Sequence, residues 1–388
     1  MMRTDTPDKK TLKKATRRTY LLVLLLDLLA LAANQLAIHS STFADAYSHY
    51  VYRGLSLGIG SVMGLLPFSV VELLLYATIL FVLFDFAKQL RRAVRAAVAR
   101  PLRRFLGHLF LILSTLLVLY VFLCGINYHR TSFSEEAGLS VTIDAHGTVY
   151  DEADLIALCD YLVTEINDTE AQLDVPCIGQ TSETPKPSAA WLWHAGRTGQ
   201  RAMEKLGQRY HRLSGHYPYP KPILNTWILS VQQTTGVYSP FTVEANYNRD
   251  IAYYDIPFTI CHELSHLRGY MQEEEANFIG VLATIGADDL YFNYSGYVSA
   301  WVYAGNALAR IDSTAFATLY GRINARTRQD MLYNNAYWQQ FKGKPAEAHE
   351  QLNDAYLKMQ GQASGVRSYG HVTDLMLEYF AENGTLTQ

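Results

Sequence analysis

Three long apolar runs lie within the first 128 of 388 residues, and they constrain the architecture before any motif is considered. Residues 20–38, 69–86 and 105–126 each have about the 17–25 residues that an α-helix needs to cross a bilayer. Acidic residues are few: Asp27 in the first run, Glu72 and Asp85 near the ends of the second. An acid within a span is expensive in hydrocarbon and marks either function or a polar contact between helices. The mean hydropathy of −0.02 averages this membrane part with a polar remainder. The first run lacks a small-residue cleavage site, which argues against a removable signal peptide. Residues 55–68 are apolar but glycine-rich and read as an interfacial or re-entrant piece, not a fourth crossing.

Basic residues orient the spans. Arg3, Lys9, Lys10, Lys13, Lys14, Arg17 and Arg18 precede the first, and Lys88, Arg91, Arg92, Arg95, Arg100, Arg103 and Arg104 follow the second. Only Arg53 lies between the first two spans. The positive-inside rule places the N-terminus and the second connection in the cytoplasm and everything after residue 128 outside. A net charge of −3 gives no case for nucleic acid. Cys159 and Cys177 fall where a disulfide is permitted, although their spacing does not demand one.

The external part carries its chemistry in Cys261-His262-Glu263-Leu264-Ser265-His266. Histidines four apart share a helix face, so His262 and His266 can grip one Zn²⁺. Glu263, rotated about 100° away, is free to act as base on a zinc-activated water. Asp255 is a possible N-cap for this helix, Pro257 suits its first turn, and Gly269 suits its stop. Glu273-Glu274-Glu275-Ala276-Asn277 opens a second helix, running to about Gly286. A zinc site with two histidines takes a third protein ligand and keeps one position for water. Glu273 is the choice, because Asn277 lies one turn along and can support a ligand from there. Glu274 and Glu275 compete for the role.

Helical spacing recurs at 151–173, 189–213, 297–309, 313–326, 347–359 and 372–379, while 221–230 leans to strand. The segment 235–246 mixes turn residues with β-branched and aromatic positions and is a candidate edge strand for an extended substrate. Tyr294, Tyr297 and the histidines after residue 300 are candidate oxyanion donors. The expected fold is membrane-anchored α+β. Residues 1–128 form a domain of three transmembrane helices, and residues 129–388 a mostly helical zincin-like domain with a small sheet.

The chain resembles a bacterial membrane family of unknown function. The likeness rests on the three spans, Gly-Ile-Asn-Tyr-His-Arg after the third, Gly-Val-Tyr-Ser-Pro-Phe-Thr-Val-Glu-Ala-Asn, and His-Glu-Leu-Ser-His-Leu-Arg-Gly followed by Glu-Glu-Glu-Ala-Asn-Phe. It continues through Tyr294-Ser295-Gly296-Tyr297 and Tyr356-Leu357-Lys358 to Ser368-Tyr369-Gly370, and it implies a zincin-like extracytoplasmic domain with no established substrate. The Glu-x-x-x-Asn arrangement is similar to gluzincin-type peptidases, which by that match makes Glu273 the ligand and Asn277 its neighbour. Many of those enzymes have Asp where this chain has Asn277. The chain also resembles metzincins after His266, but their third histidine would fall at Gln272.

The expectation is a multi-pass zinc metallopeptidase of the bacterial cytoplasmic membrane, holding Zn²⁺ on His262, His266 and Glu273 with Glu263 as general base. It would act on a peptide or protein outside the cytoplasm. The alternative is a non-catalytic, zinc-stabilised domain that binds an envelope ligand or signals through the spans. Intramembrane proteolysis is disfavoured, because the metal helix lies in a polar, tyrosine-rich region. Oligomeric state is not legible.

Overall fold

Leucine-rich sequence with no proline beyond a first turn produces α1 (Lys9–His39), α4 (Val70–Ala96) and α5 (Arg100–Leu123). A computed structural model describes residues 9–139, 151–175, 177–360 and 371–387, with side chains from residue 17 onward. All three helices are long and apolar enough to cross a membrane. Their outward faces expose Leu24, Leu28, Leu80, Phe84 and Leu113 by about half or more of each side chain. Apolar area costs about 25 cal/mol per Å² in water, so such a surface belongs in lipid.

Helices α1 and α5 run parallel: the Tyr20 hydroxyl donates to the Arg103 carbonyl at 2.8 Å, and Gly125 lies beside Asn34. Helix α4 returns against α5 through a turn in which Ala97 is left-handed (φ 50). Arg17 and Arg18 of α1, Arg91–Arg95 of α4 and Arg100–Arg104 of α5 therefore share one end of the bundle. The ends at His39, Val70 and Leu123 face the rest of the chain. Helix α4 runs ten residues beyond the apolar run read from sequence, because its last turns are polar and solvated.

Between the first two long helices lie α2 (Ser41–Tyr47), a π-helical turn (Ser48–Tyr52) and α3 (Arg53–Gly64). The stretch 55–68, expected to be an interfacial or re-entrant piece, is helical as far as Gly64. Helix α3 docks its small-residue face on the extramembrane part: Ser56 Oγ donates to the Leu267 carbonyl at 2.7 Å, and a Cβ on Gly60 would lie 2.5 Å from Pro218 Cγ. Its other face leaves Leu55, Val62 and Leu65 exposed.

After α5 come α6 (Phe133–Glu136), α7 (Glu152–Gln172), α8 (Ala189–Arg209) and a three-stranded sheet in the order β1 (Lys221–Pro222), β3 (Glu244–Tyr247), β2 (Gly236–Ser239). Strand β1 is parallel to β3 and β2 antiparallel to it, with Val237 opposite Asn246 and Ser239 opposite Glu244. The stretch 221–230 is a strand only at its start, since α9 (Trp227–Ser230) follows. The segment 235–246 is a hairpin, of which β2 alone is the edge.

Helices α10 (Asp255–His266), α11 (Glu273–Ile285) and α12 (Leu290–Ile311) form the buried centre, with α8 against α10 and α7 against α12. Then come α13 (Ser313–Arg322), α14 (Ala325–Gln339), α15 (Lys344–Met359) and α16 (His371–Asn383). Most of α14 had no signature, because Arg, Gln, Asp and Asn interrupt its apolar positions. Cys159 and Cys177 are separate buried thiols. Ser368, Tyr369 and Gly370 lie outside the described residues.

The sheet is tied to the membrane helices. Glu244 accepts from the Val70 and Val71 N–H groups at the start of α4, at 3.1 and 2.8 Å. Lys221, buried beside it, pairs with Glu244 and donates to the Met63 carbonyl at 2.7 Å. Glu72, in the first turn of α4, accepts from the Leu224 and Asn225 N–H groups. Glu244 thereby satisfies donors that a helix start leaves unpaired, and Glu72 satisfies those of a loop.

Candidate metal centre

Helix α10 starts at Asp255 after Tyr254, without a side-chain cap. Asp255 is therefore not the N-cap. It lines a cleft instead, near Asn334, and burial pushes its carboxyl up to about 7. Two turns on, the helix presents His262, Glu263 and His266. It stops where expected: the Gly269 N–H bonds the His266 carbonyl at 3.0 Å, and Gly269 is left-handed (φ 85). The turn then delivers Glu273 as the first residue of α11.

Ligand-capable atoms of His262, His266 and Glu273 all lie within 4.8 Å of one another. The two Nε2 atoms stand 3.2 Å apart, and Glu273 Oε2 is 3.4 Å from His262 Nε2. Donors about 2.0–2.1 Å from one tetrahedral zinc are about 3.3 Å apart, so these two edges match a zinc polyhedron. The third, His266 Nε2 to Glu273 Oε1 at 3.9 Å, is wider. His266 Nδ1 lies 2.7 Å from the Tyr270 carbonyl, which fixes that nitrogen as the donor and leaves the Nε2 lone pair facing the cluster. Nδ1 of His262 and Oε2 of Glu263 are buried without a hydrogen-bond partner. This donor set fits zinc.

Charges within the cluster are strongly coupled. Burial pushes His262 down, but Glu273, Glu263 and Asn277 outweigh it and hold His262 above its ordinary value. Burial and the neighbouring His262 push His266 down to about 4. Burial would raise Glu273, but its bond to His262 and the charges of both histidines keep it low. Glu263, 4 % exposed, is pushed up to about 8 by burial, against the pull of His262. A divalent cation beside it acts in the opposite direction and favours the carboxylate.

Glu275 is not a ligand. It points to the start of α6, accepting from the Phe133 N–H and, at 3.2 Å, from the Ser134 N–H. Burial pushes its carboxyl up to about 7. Glu274 lies toward His371, whose protonated form it favours. Asn277 stands against His262, where the sequence placed it.

The centre opens into a cleft of about 1090 Å³. Edge strand β2 forms one wall. A Cβ on Gly236 would lie 2.6 Å from Glu263 Oε1, so glycine is required where strand and helix meet. The Tyr238 N–H, on the outer edge of β2, faces the Glu263 carboxylate. Ser299 and Tyr303 of α12 form the opposite wall, and α15 closes over with His349 and Tyr356. The end of α5 contributes Tyr120 and Cys124, with Tyr128 just beyond.

Two expected oxyanion donors are elsewhere. Tyr294 bonds Thr327 and Asp330 in the core, and the Tyr297 hydroxyl lies 3.4 Å from Thr387. Of the later histidines, His349 lines the cleft while His371 pairs with Asp374. Tyr303 was missed. It sits among the charges of Glu273 and Asp255, which with burial raise its hydroxyl. Its only sequence signal is a position on α12, indistinct among 27 tyrosines.

No curated protein and no solved structure matches the chain. The model of a family described as "Protein of unknown function (DUF3810)" matches residues 47–377, beginning after the first apolar helix. That match covers most of the chain, which therefore belongs to the DUF3810 family.

Proposed function

We propose that this protein is a membrane-bound zinc metallopeptidase whose site faces away from the cytoplasm. One observation carries the reading: His262, His266 and Glu273 converge within 4.8 Å beside the buried, incompletely partnered Glu263, in a cleft walled by an edge strand. The orientation rests on the basic residues gathered at the end of the bundle remote from α10.

His262, His266 and Glu273 would hold the ion, with the Tyr270 carbonyl fixing the ring of His266 and Asn277 lying against His262. Zinc, when bound, supplies Lewis acidity that acidifies water and polarises a carbonyl. An extended peptide adds its backbone to the outer edge of β2, which sets the scissile bond against Glu263. Glu263 takes the proton of the attacking water and returns it to the departing amine. Tyr303, which lines the cleft close enough to Glu273 to feel its charge, would donate to the developing oxyanion.

Glu263→Gln tests this on the full-length protein in detergent or nanodiscs, against a broad fluorogenic peptide library. The variant is expected to keep the zinc of the wild type and lose hydrolysis. Equal hydrolysis by both overturns the role of Glu263. Zinc in both with cleavage by neither overturns the peptidase and leaves a zinc-stabilised binding domain.

A further inference from the structure

We infer that the substrate is itself anchored in the membrane and is cut within a few residues of its own apolar segment; the inference rests on the peptidase reading above. The argument begins with how little separates the metal cluster from the end of α5. The Tyr238 hydroxyl donates to the carbonyl of Leu123, the last residue of that helix, at 3.0 Å. The same ring packs against His266, with centroids 6.1 Å apart. One tyrosine side chain spans the gap. The Tyr52 hydroxyl, 3.1 Å from that of Tyr238, donates to the His266 carbonyl at 3.1 Å and braces the same junction.

Strand β2 gives this proximity a direction. It begins at Gly236 beside Glu263 and ends at Ser239, opposite Glu244. Glu244 caps the first residues of α4. The edge on which a peptide would add thus runs from the general base to the level where the apolar helices begin. Three residue steps of strand cover about 10 Å. A chain leaving the bilayer beside α5 would reach the metal after about three to six extended residues.

The cleft is graded to match. Its end next to the helices is lined by Tyr120, Cys124 and Tyr356, with Val237 and Phe241 both 38 % exposed nearby. Tyrosines at the end of a span are typical of the membrane–water interface. Lys342, Glu347 and Glu350 line the cleft around the start of α15, where His349 lies 3.3 Å from Thr234. A site for freely diffusing peptides has no need to share a wall with the last turn of a membrane-crossing helix. For a tethered substrate, that wall sets register and confinement raises its effective concentration.

The test uses the full-length zinc-loaded protein in nanodiscs with three probes carrying one randomised fluorogenic decapeptide. In the first, the decapeptide directly abuts a polyleucine segment of about 20 residues. In the second, a Gly/Ser spacer of about 20 residues, reaching about 25 Å, separates the two. The third is the soluble decapeptide. The inference expects the first probe to be cleaved about tenfold faster, or more, than either other. Equal rates for the first two probes, or a soluble peptide cut as fast as the first, overturn it while the peptidase reading stands. No cleavage of any probe overturns both.

Discussion

Gly236→Ala is the most demanding test of how strand β2 and helix α10 fit together. The added Cβ would lie 2.6 Å from Glu263 Oε1, 2.7 Å from Thr259 Cγ2 and 2.8 Å from Glu263 Cγ. Restoring an ordinary contact of about 3.4 Å requires Glu263 or the strand to move by about 0.8 Å. Overpacking of this kind costs about 1–3 kcal/mol of stability. The larger effect is on chemistry, because a 1 Å misplacement near a reacting centre costs about 100-fold in rate. That corresponds to about 2.7 kcal/mol of barrier. None of the three ligands is among the atoms contacted, so zinc content is expected to stay at the wild-type level. The assay is zinc content, thermal stability and kcat on full-length wild type and variant. Gly321→Ala is the control: nothing lies within 4 Å of its added Cβ, and it sits in helix α13. There alanine is expected to be neutral or to stabilise by about 0.5–1 kcal/mol. A Gly236→Ala protein that turns over within twofold of wild type would refute the close apposition of β2 and Glu263.

Two further substitutions separate ligand from scaffold. Glu273→Ala is expected to lower zinc occupancy, whereas Glu275→Ala keeps zinc but loses about 1–3 kcal/mol of stability through the unpaired N–H groups of α6. The reverse ranking in metal analysis would reassign the third ligand. For pH dependence, Asp255 has a folded pKa near 7, above its unfolded value of 3.8. The native state then holds an extra proton between about pH 4 and pH 7, so this residue's contribution is full at low pH and fades as pH rises through that window. Asp255→Asn should flatten the slope of unfolding free energy over that range. An unchanged slope would mean that Asp255 is ionised in the fold.

What was legible in the sequence was what local periodicity and spacing carry. The helix carrying His262 and His266, its glycine stop and the placement of Glu273 at the next helix start all follow from short-range rules. So do the three apolar helices, although hydropathy finds the part of α4 that suits hydrocarbon and not its polar continuation to Ala96. Choosing among three adjacent glutamates was harder. Each is rotated about 100° from the next, and the distant N-terminus of α6 is what draws Glu275 away from the histidines. Of the cleft walls, the edge strand and His349 were among the candidates, whereas Tyr303 and the end of α5 were not legible, because they reach the site from points far apart in sequence. The expected domain boundary at residue 128 also misses how residues 41–68 support the metal helix, since Ser56 and Tyr52 carry no local sign of a partner more than 200 residues away. Cleaving the chain at that boundary would remove Tyr52, Tyr120 and Cys124 from the site, so experiments belong on the whole protein.

The most direct measurement is the metal content of the purified full-length chain, by elemental analysis after dialysis against trace zinc. It is made on the wild type and on the His262→Ala/His266→Ala double variant. The account predicts about one zinc per wild-type chain, lost from the double variant, with X-ray absorption showing two imidazole nitrogens and carboxylate oxygen around it. A wild-type protein without zinc, or a double variant that retains it, would contradict the account at its centre.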